Sequence, residues 1–158
     1  MIPEGCKPVQ LAHPQTSNGG FDSDWISLKN AIKAFIVVEM NQAVGHATKL
    51  TVNQATVVAG SDTKVLTNTT RIWANEDVAA SDALVRKTAA KDYTVTNDIK
   101  KKQVVFEINP ADCLDVANAF DCVGVNVADS SQATDFVSIT AFLMMKYAEA
   151  TPPSAIVD

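Results

Sequence analysis

The side chains best suited to catalysis or metal binding in this sequence are two histidines, three cysteines and a scatter of aspartates. Their spacing supports neither use. His13 lies in a proline-rich opening stretch, and His46 follows Gly45 in what reads as a hairpin loop. A hydrolytic triad needs a nucleophile, a base and an orienting group, and neither histidine sits near a nucleophile-elbow or reactive-cysteine context. Cys6, Cys113 and Cys122 are odd in number and widely spaced, which argues against a disulfide framework and against a zinc site. The aspartates at 22, 24, 62, 77, 82, 112, 115 and 129 fall in turns and do not form the spaced acid loop of a calcium hand. Gly19-Gly20 and Gly60 are isolated turn glycines rather than a phosphate cradle. The sequence therefore predicts no catalytic residue, no cofactor and no metal.

Composition narrows the remaining classes. The chain has 158 residues, 47% of them apolar and 20% charged, which suits one globular domain with a full core. Its formal charge of −5 disfavours nucleic acid, whose binding depends on clustered Lys and Arg. The one basic run, Lys100-Lys101-Lys102, reads as a solvated turn or a charged guard on a sheet edge. No apolar run reaches the roughly 18 residues of a membrane helix. Residues 1–5 lack the pattern of a secretory signal, so the expectation is a cytosolic protein, with no membrane partner.

The elements that would position any functional residue are strands. Residues 32–40 alternate, with Ile32, Ala34, Ile36, Val38 and Met40 on one face. Val104, Phe106 and Ile108 repeat the pattern, as do Val123, Val125 and Val127. The longest stripe runs from Val137 through Ile139, Ala141, Leu143 and Met145 to Tyr147. Weaker strands are expected at 25–28, 49–54, 70–74, 84–88 and 93–96, with turn clusters between them. A helical turn is expected from Pro110 to Leu114, capped by Asn109, and a second short piece over 79–86. Trp25, Trp73, Phe21, Phe35 and Tyr93 are each read as core. The predicted fold is all-β: an antiparallel β-sandwich, jelly-roll-like, with extended N- and C-terminal arms.

The expected organisation is an extended arm over 1–20, a sandwich over 21–150 and a tail over 151–158. Three prolines in the arm and the Pro152-Pro153 pair in the tail stiffen both ends. Ile156 and Val157 at the tail's tip, with Pro152, Pro153 and, in the arm, Ile2 and Val9, are the candidate contacts with other chains. The tail is expected to serve assembly rather than folding.

Three segments carry a resemblance: 115–129 (DVANAFDCVGVNVAD), 147–158 (YAEATPPSAIVD) and 52–60 (VNQATVVAG). Together they resemble small proteins encoded beside the major capsid protein in the head-gene region of tailed bacteriophages. That resemblance implies a capsid cement or decoration protein, some of which are jelly rolls. The implied partners are the major capsid protein and other copies of this chain. The implied location is the capsid exterior, after assembly in the host cytoplasm. Two other readings stand beside it, a neck or tail component and a carbohydrate-binding sandwich; the low 6% aromatic content weighs against the latter.

Overall fold

The computed structural model describes residues 2–157. In chain order the strands are β1 (Cys6–Thr16), β2 (Phe21–Asp22), β3 (Ile26–Ser27), β4 (Ala31–Asn41), β5 (Lys49–Ala55), β6 (Lys64–Val65), β7 (Thr70–Asn75), β8 (Val85–Ala90), β9 (Asp92–Thr94), β10 (Lys101–Ile108), β11 (Cys122–Val127) and β12 (Phe136–Met145). A four-residue helix, α1 (Pro110–Cys113), follows β10. The first sheet has the order β1-β12-β4-β10-β7-β8, and the second has β2-β11-β5-β6, with β3 also on β11 and β9 also on β5. Every pairing is antiparallel.

These pairings have the connectivity of a jelly roll. The chain behaves as one long double strand in which β1 pairs β12, β2 and β3 pair β11, β4 pairs β10, and β5 pairs β9. Rolling that ribbon brings β12 beside β4 and β11 beside β5, which completes both sheets. The hairpin β7–β8, inserted between β5 and β9, extends the first sheet beyond β10.

Alternation sets the core. Ile36, Val38, Val104, Phe106, Ile139 and Leu143 point inward from the first sheet and meet Leu50, Val52, Val123 and Val125 from the second. Cys122 is also fully buried. Ile32 departs from its expected place, being 58% exposed. Met144 pairs with Lys33 but Met145 pairs with Ala31, so Ile32 is the extra residue of a bulge, and the phase of β4 flips there. The stripe of β12 also stops early: the strand ends at Met145, and Tyr147 is 75% exposed.

Three further expectations change. Residues 6–16 of the supposed arm are the edge strand β1, because Val9, Leu11 and Ala12 offer apolar surface that β12 can bring over the core. Residues 79–86 form a turn and an extended stretch leading into β8, not a helix. Asn109 caps α1 with its backbone carbonyl alone; its side chain donates to Asp112 Oδ2 at 2.5 Å.

Lys102 is not a solvated turn residue. It points inward and is 1% exposed. Its ammonium donates to the carbonyl oxygen of Thr96 and to Thr96 Oγ1 at 2.9 Å, and it lies 3.5 Å from Glu76 Oε2. Glu76 also accepts from Tyr93 Oη at 2.5 Å and from the Thr96 N–H and hydroxyl. The network joins β10 and the end of β7 in one sheet to β9 in the other. Burial alone would raise the Glu76 carboxyl, but those hydrogen bonds and the Lys102 charge outweigh it and hold it below its ordinary value. Burial and the hydrogen bond to Glu76 push the Tyr93 phenol well above its usual range. Burial pulls the Lys102 ammonium down, against the pull of Glu76.

Two outcomes follow from this architecture. Ile36→Asp places an unpaired charge where exposure is 0% and should cost several kcal/mol, while Ile32→Asp at the bulge should change stability by no more than about 0.5 kcal/mol; urea denaturation compares them. Glu76→Gln leaves the Lys102 ammonium buried without its counter-charge and should cost roughly 3 kcal/mol at neutral pH. Because the folded carboxyl lies below its ordinary 4.5, its contribution is complete above that value and is lost as pH falls through the folded one. Melting curves recorded downward from pH 7 should therefore show part of the parent's acid loss missing in Glu76→Gln.

Candidate interaction surface

The two outer faces of the sandwich differ in chemistry, and the difference begins in β4. Its outward positions are Lys33, Phe35, Val37, Glu39 and Asn41, so the middle of the strand is apolar on both sides. Register then builds rows across the first sheet. One row runs Gln10, Thr140, Val37, Val105, Trp73 and Arg86 from β1 to β8. The next runs Pro8, Phe142, Phe35, Glu107 and Arg71. Phe35, Val37, Trp73, Val105 and Phe142 are half-buried by one another, with Phe136 and Met144 44% and 43% exposed at the two ends of β12. Antiparallel sheets normally turn a polar face to water. Here an apolar patch lies uncovered by any other element among the described residues, which is a mark of an interaction site.

Charges frame that patch. Glu107 is held by Lys33 and, at 3.5 Å, by Arg71, so its negative charge is matched within the sheet. The cations Arg86 and Lys101 complete the rim, with Glu39 as the other acid. A hollow of about 370 Å³ opens at the Phe136 end, lined by Pro14, Glu39, Asn41, Lys101 and Gln103 among others.

On the second sheet, Thr51, Asn53 and Asn126 face outward, and Asn126 donates to Asp22 at 2.8 Å. Trp25 lies on this polar face without being an open platform. A Cβ added to Gly124 would come within 3.0 Å of its ring, and one on Gly60 within 2.5 Å of Nε1. The indole is thus wedged between β11 and the turn at Gly60, where φ is +76°. Phe21 and Tyr93 pack against the core as expected, whereas Phe35 and Trp73 belong to the outer face and Trp25 to the other.

Edges matter as much as faces. Pro8 and Pro14 remove backbone donors from β1, and Arg86 and Lys87 guard β8. The edge strands of the second sheet are two or three residues long. All of these features oppose addition of a further strand. Contacts with another chain are steered to the faces.

The candidate contacts at the ends are placed as follows. Val9 turns inward opposite Ala141 and packs against the core. Ile2 is 60% exposed. The tail folds back along its own domain: Ala155 is 6% exposed, its carbonyl accepts from the Ser27 N–H at 2.7 Å, and the Pro153 carbonyl accepts from Lys7. Pro152 is half-buried and Pro153 exposed; Ile156 and Val157 are 47% and 67% exposed. The tail is strapped down, with only its tip outward, because a small residue after two prolines fits the gap beside β3. His13 is exposed on β1, and His46 Nδ1 lies 3.4 Å from Thr48 Oγ1. Among the described residues no group of three or more His, Cys, Asp and Glu gathers around a point, and no helix is long and apolar enough to cross a membrane.

No protein-family model matches the sequence, and no curated protein is significantly similar. Among solved structures the chain resembles the crystal structure of the SPBc2 prophage-derived protein YomS, at 9% identity and a TM-score of 0.50. The likeness covers 87% of this chain and 91% of that one, so it extends over the whole roll and supports the fold.

Removing residues from 151 onward should lower the melting temperature by the equivalent of about 1–2 kcal/mol, for the burial of Ala155 and the loss of its bond to Ser27. Truncation at 155, which removes only the exposed tip, should leave the melt unchanged.

Proposed function

We propose that this chain is a structural component of a phage particle, docking through the outer face of its first sheet onto a protein lattice, as a cement protein on the outside of the head. The observation that carries this reading is the uncovered apolar patch of Phe35, Val37, Trp73, Val105 and Phe142, on a domain whose strand edges are all blunted. Such a domain binds by laying a face down, which suits repeated attachment to the major capsid protein. The segment resemblance to head-region proteins and the fold shared with a prophage-derived protein support the same direction. A carbohydrate-binding use is less well supported, because Trp25 is wedged against Gly124 and Gly60, and Trp73, Phe35 and Phe142 are half-buried among one another rather than standing as open rings. A neck or tail position would use the same face with another partner, at a few copies per particle.

The test is a pair of face variants. Val37→Glu and Phe142→Glu add charge at half-buried outer positions and should cost about 1 kcal/mol or less in stability. Each should abolish co-sedimentation with heads lacking this protein, which the parent restores. Undiminished binding by both folded variants would reject the face. Lattice-wide density in cryo-electron images supports cement, and density at one vertex supports neck or tail.

A further inference from the structure

The outer face of the first sheet carries its Lys, Arg and Glu side chains on one side of the apolar patch. Register lays the outward positions out as a grid. On β1 and β12 they include Pro8, Gln10, Ser138, Thr140 and Phe142, none of them charged. Lys33 and Glu39 stand on β4, Lys101 and Glu107 on β10, Arg71 on β7 and Arg86 on β8. The charged half of the face therefore runs from the middle strand to the β8 edge.

These charges do not cancel. Glu107 is gripped by Lys33 and lies 3.5 Å from Arg71, so that trio keeps one positive charge. Arg86 and Lys101 are exposed and stand in no ion pair among the described residues. Glu39 is exposed and unpaired in the same sense. Four cations thus meet two acids on this face, although the whole chain has a formal charge of −5. In an acidic chain, cations left without an internal partner beside an apolar patch are complementary to negative charge on another molecule.

We infer that the partner of this face is an acidic protein surface, with apolar side chains that cover Phe35, Val37, Trp73, Val105 and Phe142 and, along one side, Asp or Glu carboxylates that meet Arg86 and Lys101. This deepens the proposed docking role and rests on it. Arginine presents a planar fork that takes a carboxylate with two parallel hydrogen bonds, and lysine a point charge. On the rim of the patch the two cations add on-rate and orientation more than affinity. Because they stand on the β8 side alone, they fix the direction in which the partner lies. A second copy laid face to face would bring Glu39 as its one unpaired acid against these cations, a poor match. A nucleic acid matches no better, since Glu39 and Glu107 sit among the cations and oppose a phosphate backbone.

The experiment follows binding of the full chain to heads lacking this protein in real time, at NaCl from about 0.05 to about 0.5 M, which shortens the reach of exposed charges to a few ångströms. The parent's on-rate should fall roughly tenfold across that range. The double variant Arg86→Gln/Lys101→Gln should bind about tenfold more slowly than the parent at the low-salt end, respond little to salt, and keep an off-rate within about threefold of the parent's. Both positions are exposed and unpaired, so its melting curve should match the parent's; the parent's salt series decides the question without it. An on-rate indifferent to salt, or a double variant as fast as the parent, while Val37→Glu still abolishes binding, would overturn the acidic partner and leave the docking face standing. Undiminished binding by both Val37→Glu and Phe142→Glu, or no binding by the parent, would overturn the docking face and the acidic partner with it. Binding of the parent to a single-stranded DNA oligonucleotide as tight as to heads would overturn the inference in favour of a nucleic acid.

Discussion

Everything in this structure hangs on β4 being paired on both sides along most of its length. It meets β10 over eight consecutive residues and β12 over nearly its whole span. Those two ladders join the first half of the chain to its last third, and they close the roll. The register they impose is unforgiving, since a slip of one residue would send Ile36 and Val38 outward and Phe35 and Val37 inward. In most sheets the polar outer set forbids that slip. Here both sets are apolar over the middle of the strand, so register has to be enforced at the ends. Lys33 and Glu39 on the outward side do so, together with the bulge at Ile32.

The same double-sided apolarity gives the molecule its asymmetry. The second sheet presents amides and hydroxyls to solvent and has the Trp25 indole clamped against its outer face. The first presents a patch of aromatic and β-branched side chains framed by Lys33, Arg71, Arg86 and Lys101. A chain with a net charge of −5 has thus placed cations around its apolar face. With prolines, charges and brevity blunting the strand edges, the geometry leaves face-to-face contact as the favoured way to join another protein. The tail and the N-terminal segment are largely committed to the domain itself.

Buried polar groups sit at chosen places in the sandwich rather than at random. The Lys102, Glu76, Tyr93 and Thr96 network bridges the two sheets, and each of its hydrogen bonds depends on residues far apart in the chain. Networks of this kind add little net stability compared with apolar packing, but removing one member strands the others. They tie strands to one another in a way that apolar surfaces, which tolerate sliding, do not.

The strands with strict alternation, β10, β11 and most of β4 and β12, are legible in the residue order alone, because a period of two is a local property and burial follows it. The helical turn at Pro110 was legible for the same reason, although the Asn109 side chain does not cap it. The sandwich class followed from strand number and turn spacing. The rest depends on contacts between distant parts of the chain. Residues 6–16 look like an arm until β12, from 120 to 138 positions further along, pairs with them, and Lys102 looks solvated until Glu76 and Thr96 are brought over it. Phe35 and Trp73 are as apolar as any core residue; which face they occupy depends on register with neighbours, and on whether another layer covers that face. Ala155 had no periodic signal at all, since a single small residue docks by fitting a gap made of distant segments. Local pattern names the faces of a strand, but long-range pairing alone decides which of them is inside.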